Sequence, residues 1–198
     1  MIRAFGLSIV ASASIGIANA VDITGNAQVV VLSTITASET ASLSFGTIAA
    51  FGDGAVAGNT STLTMPADGS GSSVALDAGT VADSNIVVIA EGNPGSFEVT
   101  GAAPNAVLTV AISGGGVDAL TDPSSATDHT FDFTPSGIYY TTNGSGNTFT
   151  SDTDATGNMV FNVGGTLTTN DTGTTIAAAG DPYDDATYTG TYTVSISY

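Results

Sequence analysis

YTGTYTVSISY, residues 188–198, repeats every two residues: Tyr192, Val194, Ile196 and Tyr198 share one side, and Thr191, Thr193, Ser195 and Ser197 share the other. Strict alternation of this kind fits a half-buried β-strand and does not fit the 3.6-residue period of a helix. The spacing predicts a strand over Thr187–Tyr198 that runs to the last residue instead of fraying, so a place in a sheet is expected to be reserved for it.

Working outward, the same alternation recurs in short segments divided by Gly, Asn, Asp and Pro. It predicts strands at Ala27–Ile35, Ala41–Ile48, Ser61–Met65, Ser73–Leu76, Asn85–Ala90, Ser96–Thr100, Ala106–Ser113, His129–Thr134, Asn147–Thr150 and Asn158–Val163. Pro66-Ala67-Asp68-Gly69 and Asn93-Pro94-Gly95 are turn sequences, and Gly114-Gly115-Gly116 releases the chain after a strand. Gly114–Asp128 and Asn170–Asp185 read as loops or insertions. No repeat of blade length is present, so the expectation is an all-β antiparallel β-sandwich in one domain, not a propeller.

Residues 1–20 carry one basic residue, Arg3, an apolar run from Ala4 to Ile17, and Ala18-Asn19-Ala20 as a small-x-small cleavage site. This pattern predicts a secretory signal peptide cut after Ala20; the run is shorter than the ~20 residues of a membrane span. The expected organisation is a leader over 1–20, an extended N-terminal segment over 21–36 and the sandwich over 37–198, in a protein secreted to the exterior or surface of a bacterium.

Arg3 is the only Lys or Arg in the chain, against 18 Asp and Glu. Once the leader is cut, the chain has no Lys or Arg and only the lone His129 as a basic residue, so nothing displaces counterions from phosphate, which argues against nucleic acid and anionic lipid as partners. Cysteine is absent, so no disulfide staples the fold.

Enzymatic readings are poor. A Ser or Thr nucleophile needs a base, and the one histidine, His129, lies in Asp128-His129-Thr130-Phe131, which reads as an ordinary strand-edge position. A glycosidase pair of carboxylates works in an aromatic cleft, yet the chain has no Trp. Asp152-Thr153-Asp154 and Asp181-x-x-Asp184-Asp185 offer oxygen ligands of the kind Ca²⁺ takes, but neither completes a calcium loop, and solvated turn carboxylates are the simpler reading. The expectation is no enzyme and no cofactor, with Ca²⁺ the sole metal to consider.

Four phrases in order, Leu43-Ser44-Phe45-Gly46-Thr47-Ile48, Ser96-Phe97-Glu98-Val99-Thr100-Gly101, Phe161-Asn162-Val163-Gly164-Gly165-Thr166-Leu167 and Tyr188–Tyr198, resemble the bacterial secreted family catalogued as domain of unknown function 4402. The resemblance spans nearly all of the chain after the leader and departs at the acidic insertion before Tyr188. It implies a Greek-key, immunoglobulin-like sandwich and a looser kinship with pilus subunits of the chaperone-usher type. No activity comes with it.

The segment after Ala20 places Ile23, Ala27, Val29, Val31 and Ile35 on one face, with no evident hairpin partner. We therefore expect a donor strand that completes the sandwich of a neighbouring copy, with Tyr192, Val194, Ile196 and Tyr198 as a wall of the acceptor groove. On this reading the protein is a structural subunit of an extracellular filament, pilus or surface layer. Its partners are other copies of itself, with a periplasmic chaperone and outer-membrane usher as candidate assembly factors. The alternative is a monomeric secreted binding module for a glycan or surface ligand.

Overall fold

The computed structural model describes residues 25–29, 34–53, 58–76, 84–113, 118–121, 129–140, 142–143, 147–169 and 179–198. Contacts divide the chain into Met1–Val31 and a compact unit, Leu32–Tyr198, to which the fold below belongs. Among the described residues the elements are all strands: β1 Thr36–Ala41, β2 Thr47–Asp53, β3 Ser61–Met65, β4 Ser73–Leu76, β5 Asn85–Ala90, β6 Gly95–Thr100, β7 Val107–Ser113, β8 Asp118–Leu120, β9 Phe131–Tyr140, β10 Thr142–Asn143, β11 Thr148–Asp152, β12 Met159–Thr169, β13 Ala179–Pro182 and β14 Thr193–Ser197.

Every pairing is antiparallel, and β12 is the spine. Along one edge β12 pairs with β6 through Met159–Val163 and then with β3 through Gly165–Thr168, so that one strand carries two neighbours in series. Along the other edge it pairs with β9. β1 and β4 extend this sheet beyond β6 and β3. Two three-stranded sheets, β11-β7-β14 and β13-β2-β5, complete an all-β, sandwich-like arrangement.

The side chains of the long sheet feed two cores. Val99, Met159, Phe161, Val163 and Ile138 bury against Leu108, Val110 and Ile112 of β7, forming the first core. Leu63, Phe131 and Leu167 bury with Ala50 of β2 and Ile86 of β5, forming the second. A bulge in the β9–β12 ladder separates the regions: Val163 faces Ile138 and Gly164 faces Ser136, which leaves Gly137 as the extra residue at φ +74°. Only glycine takes that backbone conformation without strain, and the bend it makes turns the sheet from one core to the other.

Predicted strands at Ser61–Met65, Ser73–Leu76 and Asn85–Ala90 coincide with β3, β4 and β5. Others need correction. No strand is present at Gly25–Val29 or at Thr34 and Ile35; the first begins at Thr36, where the whole of Thr-Ala-Ser-Glu-Thr-Ala is exposed on a sheet edge. The Ala41–Ile48 strand starts instead at Thr47. β12 continues six residues past Val163, because Gly164 and Gly165 lie within a ladder; a Cβ on Gly165 would come 2.8 Å from the Phe133 ring. The two expected loops contain β8 and β13.

Candidate functional site

The expected acceptor strand, Thr187–Tyr198, is shorter than its alternation predicts: β14 spans Thr193–Ser197 and stops one residue before the end, leaving Tyr192 and Tyr198 outside it. β14 pairs with β7, with Val194 opposite Ile112 and Ile196 opposite Val110. Val194 and Ile196 alternate inward, half-buried against the first core, while Thr193, Ser195 and Ser197 are exposed. Burying apolar area drives that choice of face. Tyr198 is largely exposed, and its hydroxyl accepts a hydrogen bond from the Ala103 N–H at 3.2 Å.

Tyr192 does something different. Its ring packs edge-on against Phe97 and Phe133, at centroid distances of 6.0 and 5.9 Å, bridging β6 and β9. The hydroxyl sits over Gly95, where a Cβ would be 2.5 Å away, so any larger residue there would have to push the tyrosine aside. No hydrogen-bond partner reaches that hydroxyl. Burial, with a smaller contribution from the negative charge of Glu39, pushes its pKa up to about 12.

Tyr192 also lines a cleft of about 900 Å³, the size of a small-ligand pocket. One wall is the Ser42–Phe51 stretch, and the other is the Pro182–Gly190 segment. Phe131, Phe133 and Leu167 form the floor. Aromatic packing holds the second wall in place. Tyr183 stacks on Phe131 at 4.3 Å, Tyr188 meets the same ring edge-on at 5.1 Å, and the Tyr183 hydroxyl donates to the Thr130 carbonyl at 3.1 Å. The acidic stretch Asp181–Asp185, read from sequence as a loop, thus begins within β13 and carries the tyrosine that closes the second core.

The β13–β2 pairing is short. It covers Phe51, Gly52 and Asp53, after which the Tyr183 N–H donates to the Ala50 carbonyl at 3.0 Å. Because backbone groups two residues apart on a strand point the same way, the N–H and C=O of Ile48 face this edge too. Among the described residues none pairs with them there. That open edge lies in the cleft wall.

Of the expected donor residues, Ile23 and Val31 lie outside the described residues. Ala27 and Val29 are exposed in a segment without secondary structure, with Val29 at 83% of its maximal area. Ile35 departs from its expected role: it packs in its own chain against the first core. The structure therefore does not gather the named wall residues into one groove. Tyr192 lines the cleft, while Val194 and Ile196 belong to the sheet over the first core.

His129 Nε2 lies 3.7 Å from Asp181 Oδ2, and its ring is 4.7 Å from that of Tyr183. Among the described residues neither ring nitrogen has a hydrogen-bond partner, so no described hydroxyl stands in position for it to activate. Asp154 is consumed by its own turn. Its Oδ1 accepts from the N–H of Thr156, the hydroxyl of Thr156 and the N–H of Asn158, and these bonds hold its pKa below the usual carboxylate value. Among the described residues no group of three or more His, Asp or Glu side chains converges to hold a metal.

The chain matches no family model, no curated protein and no solved structure.

Proposed function

We propose that the protein is a structural subunit of an extracellular filament, exported by its leader and polymerised by β-strand donation between copies. The observation that carries this reading is the state of the N-terminal segment. Gly25–Val29 belongs to no strand and exposes Val29 almost fully, while the sandwich starts without it at Thr36. A segment that alternates apolar and polar residues, and whose described stretch Gly25–Val29 is in no strand, suits a sheet in another copy. Each aliphatic side chain so buried is worth ~1.5–3 kcal/mol, which across three or four residues makes a joint that seldom opens. The Greek-key kinship with pilus subunits, and with it assembly by a chaperone and usher, belongs to the same proposal.

Negative-stain microscopy of concentrated protein freed of residues 1–20 tests it. Filaments, with a high-mass ladder on gels that collapses on boiling, are expected. A monodisperse particle at millimolar concentration would end the reading.

The cleft supports a second reading, a monomeric binding module. Its aromatic lining could hold a glycan or another surface ligand. Saturable binding on a glycan array by a protein that stays monomeric would favour it.

A further inference from the structure

We propose that the acceptor groove is the cleft beside β2 and not the outer edge of β14, and that its occupant is the segment around Ala27 and Val29 of a second copy. The inference rests on the strand-donation reading and locates its joint. The incoming strand would lie in line with β13, taking over the edge of β2 at the point where β13 lets it go.

Three observations converge on this placement. The edge comes first: beyond Ala50 the Ile48 N–H and C=O face the cleft with no described partner, and an open strand edge is a template for another strand. The depth of the cleft comes second. Phe131, Phe133 and Leu167 at its floor are already buried, so the apolar surface it offers to every second side chain of an added strand comes from the half-buried Phe45, Ile48 and Tyr192, while the intervening residues would face out past Asp184 and Asp185.

Charge chooses the occupant. The chain carries a net charge of −17, and the cleft is flanked by two exposed aspartates, so an acidic segment would be repelled. From Ile23 to Ser38 the sequence has no charged residue. Other long uncharged runs, 99–117, 133–151 and 155–170, are largely spent on β7, β9 and β12. The N-terminal run enters β1 only with its last three residues, Thr36–Ser38, and its described stretch Gly25–Val29 lies outside every strand.

The absence of cysteine allows a direct test with introduced thiols. Protein bearing Val29→Cys is mixed with protein bearing Thr187→Cys, on the cleft wall, or with protein bearing Thr193→Cys, on β14, and each mixture is oxidised. The proposal expects the Thr187→Cys mixture to give at least ~10-fold more mixed disulfide, because strand docking raises the local thiol concentration. A synthetic peptide of residues 23–37 should suppress that bond.

Preferential bonding to Thr193→Cys, with filaments intact, overturns the cleft as acceptor and leaves strand donation standing. Filaments without either bond overturn the placement in the same way. If neither mixture bonds or assembles, while the double variant Val29→Cys/Thr187→Cys closes within one chain, the strand pairs in its own molecule and the filament reading falls as well. A monomer that neither bonds nor assembles, and whose cleft takes up a small aromatic probe unaffected by the peptide, overturns both in favour of a ligand site.

Discussion

The two cores share a central strand yet end in different states. Among the described residues, the cluster around Phe161 buries nine apolar residues between the β11-β7-β14 sheet and the long sheet, with one buried polar side chain beside them, Thr153, bonded to Ala103 and Ala106. The described cluster around Leu167 buries five apolar residues, a seam of buried polar groups runs through Asp53, Asn59, Ser61, Ser84 and Thr169, and one side opens into the cleft, where Phe133 is buried as well. The difference teaches that one sandwich can seal one core beneath a sheet and leave the other threaded by polar groups and bordered by a cleft, and the proposed acceptor groove lies at the second.

The sharpest way to break that comparison is to excavate each core. Phe161→Ala removes a fully buried ring that stacks on Phe97 at 5.5 Å, and should cost ~3–5 kcal/mol in urea denaturation. Phe45→Ala, half-buried at the cleft, should cost less than half of that. Equal losses would mean that the second core is as closed as the first.

A smaller effect probes the polar seam. Thr169 Oγ1 accepts from the Ser61 N–H at 2.8 Å and shares a 2.7 Å hydrogen bond with the Ser84 hydroxyl. Thr169→Val keeps the shape and strands the buried Ser61 N–H, while the Ser84 hydroxyl keeps the Phe51 carbonyl at 3.3 Å, so a loss of ~1–3 kcal/mol is expected by thermal unfolding. An unchanged midpoint would show that the seam is hydrated.

Tyr192 spans the two regions and should respond to alkali. Its folded pKa of about 12 lies above the unfolded value of 10, so the stability linked to its neutral form is complete below pH 10 and is lost as the pH rises through 12. In a spectrophotometric titration, one of the six tyrosines should ionise last, and Tyr192→Phe should remove that step. Because the hydroxyl has no partner, the same variant should be as stable as the parent or slightly more so. A clear loss of stability would reveal a hydrogen bond at that position.

The smallest effect belongs to the Asp154 turn at the first core. Its folded pKa is depressed, so its contribution is present above the unfolded value near 4 and fades as the pH falls through the folded one. Asp154→Ala should weaken the protein at pH 7 and flatten the acid limb of its stability profile; an unaltered limb would count against the turn bonds.

Much of the fold was legible from period alone. Alternation marked β3, β4 and β5 to the residue, and it found β14 with its inward Val194 and Ile196. It failed where burial is not set by alternation. β1 has no apolar face, since Thr36–Ala41 is exposed throughout and held by its ladder to β6. β12 hides behind Gly164-Gly165, which reads as a break in sequence but serves close packing in space. The site was half legible. The alternation of the last strand singles out Tyr192 as a wall residue, but the opposite wall at Ile48 and the role of Tyr183 depend on where β13 stops, and sequence spacing carries no sign of that. An acidic stretch reads as a solvated loop because three aspartates, Asp181, Asp184 and Asp185, outweigh one tyrosine in composition, although the tyrosine decides the packing.

The central claim is that the sandwich over the second core is completed by another copy at the edge of β2. Amide hydrogen exchange at Ile48, compared between dispersed and assembled protein, tests it most directly. The account predicts fast exchange in the dispersed form and protection in the assembled one, alongside an unchanged slow amide at Val110. An Ile48 amide that is already slow in the monomer, or remains fast in the filament, would contradict it.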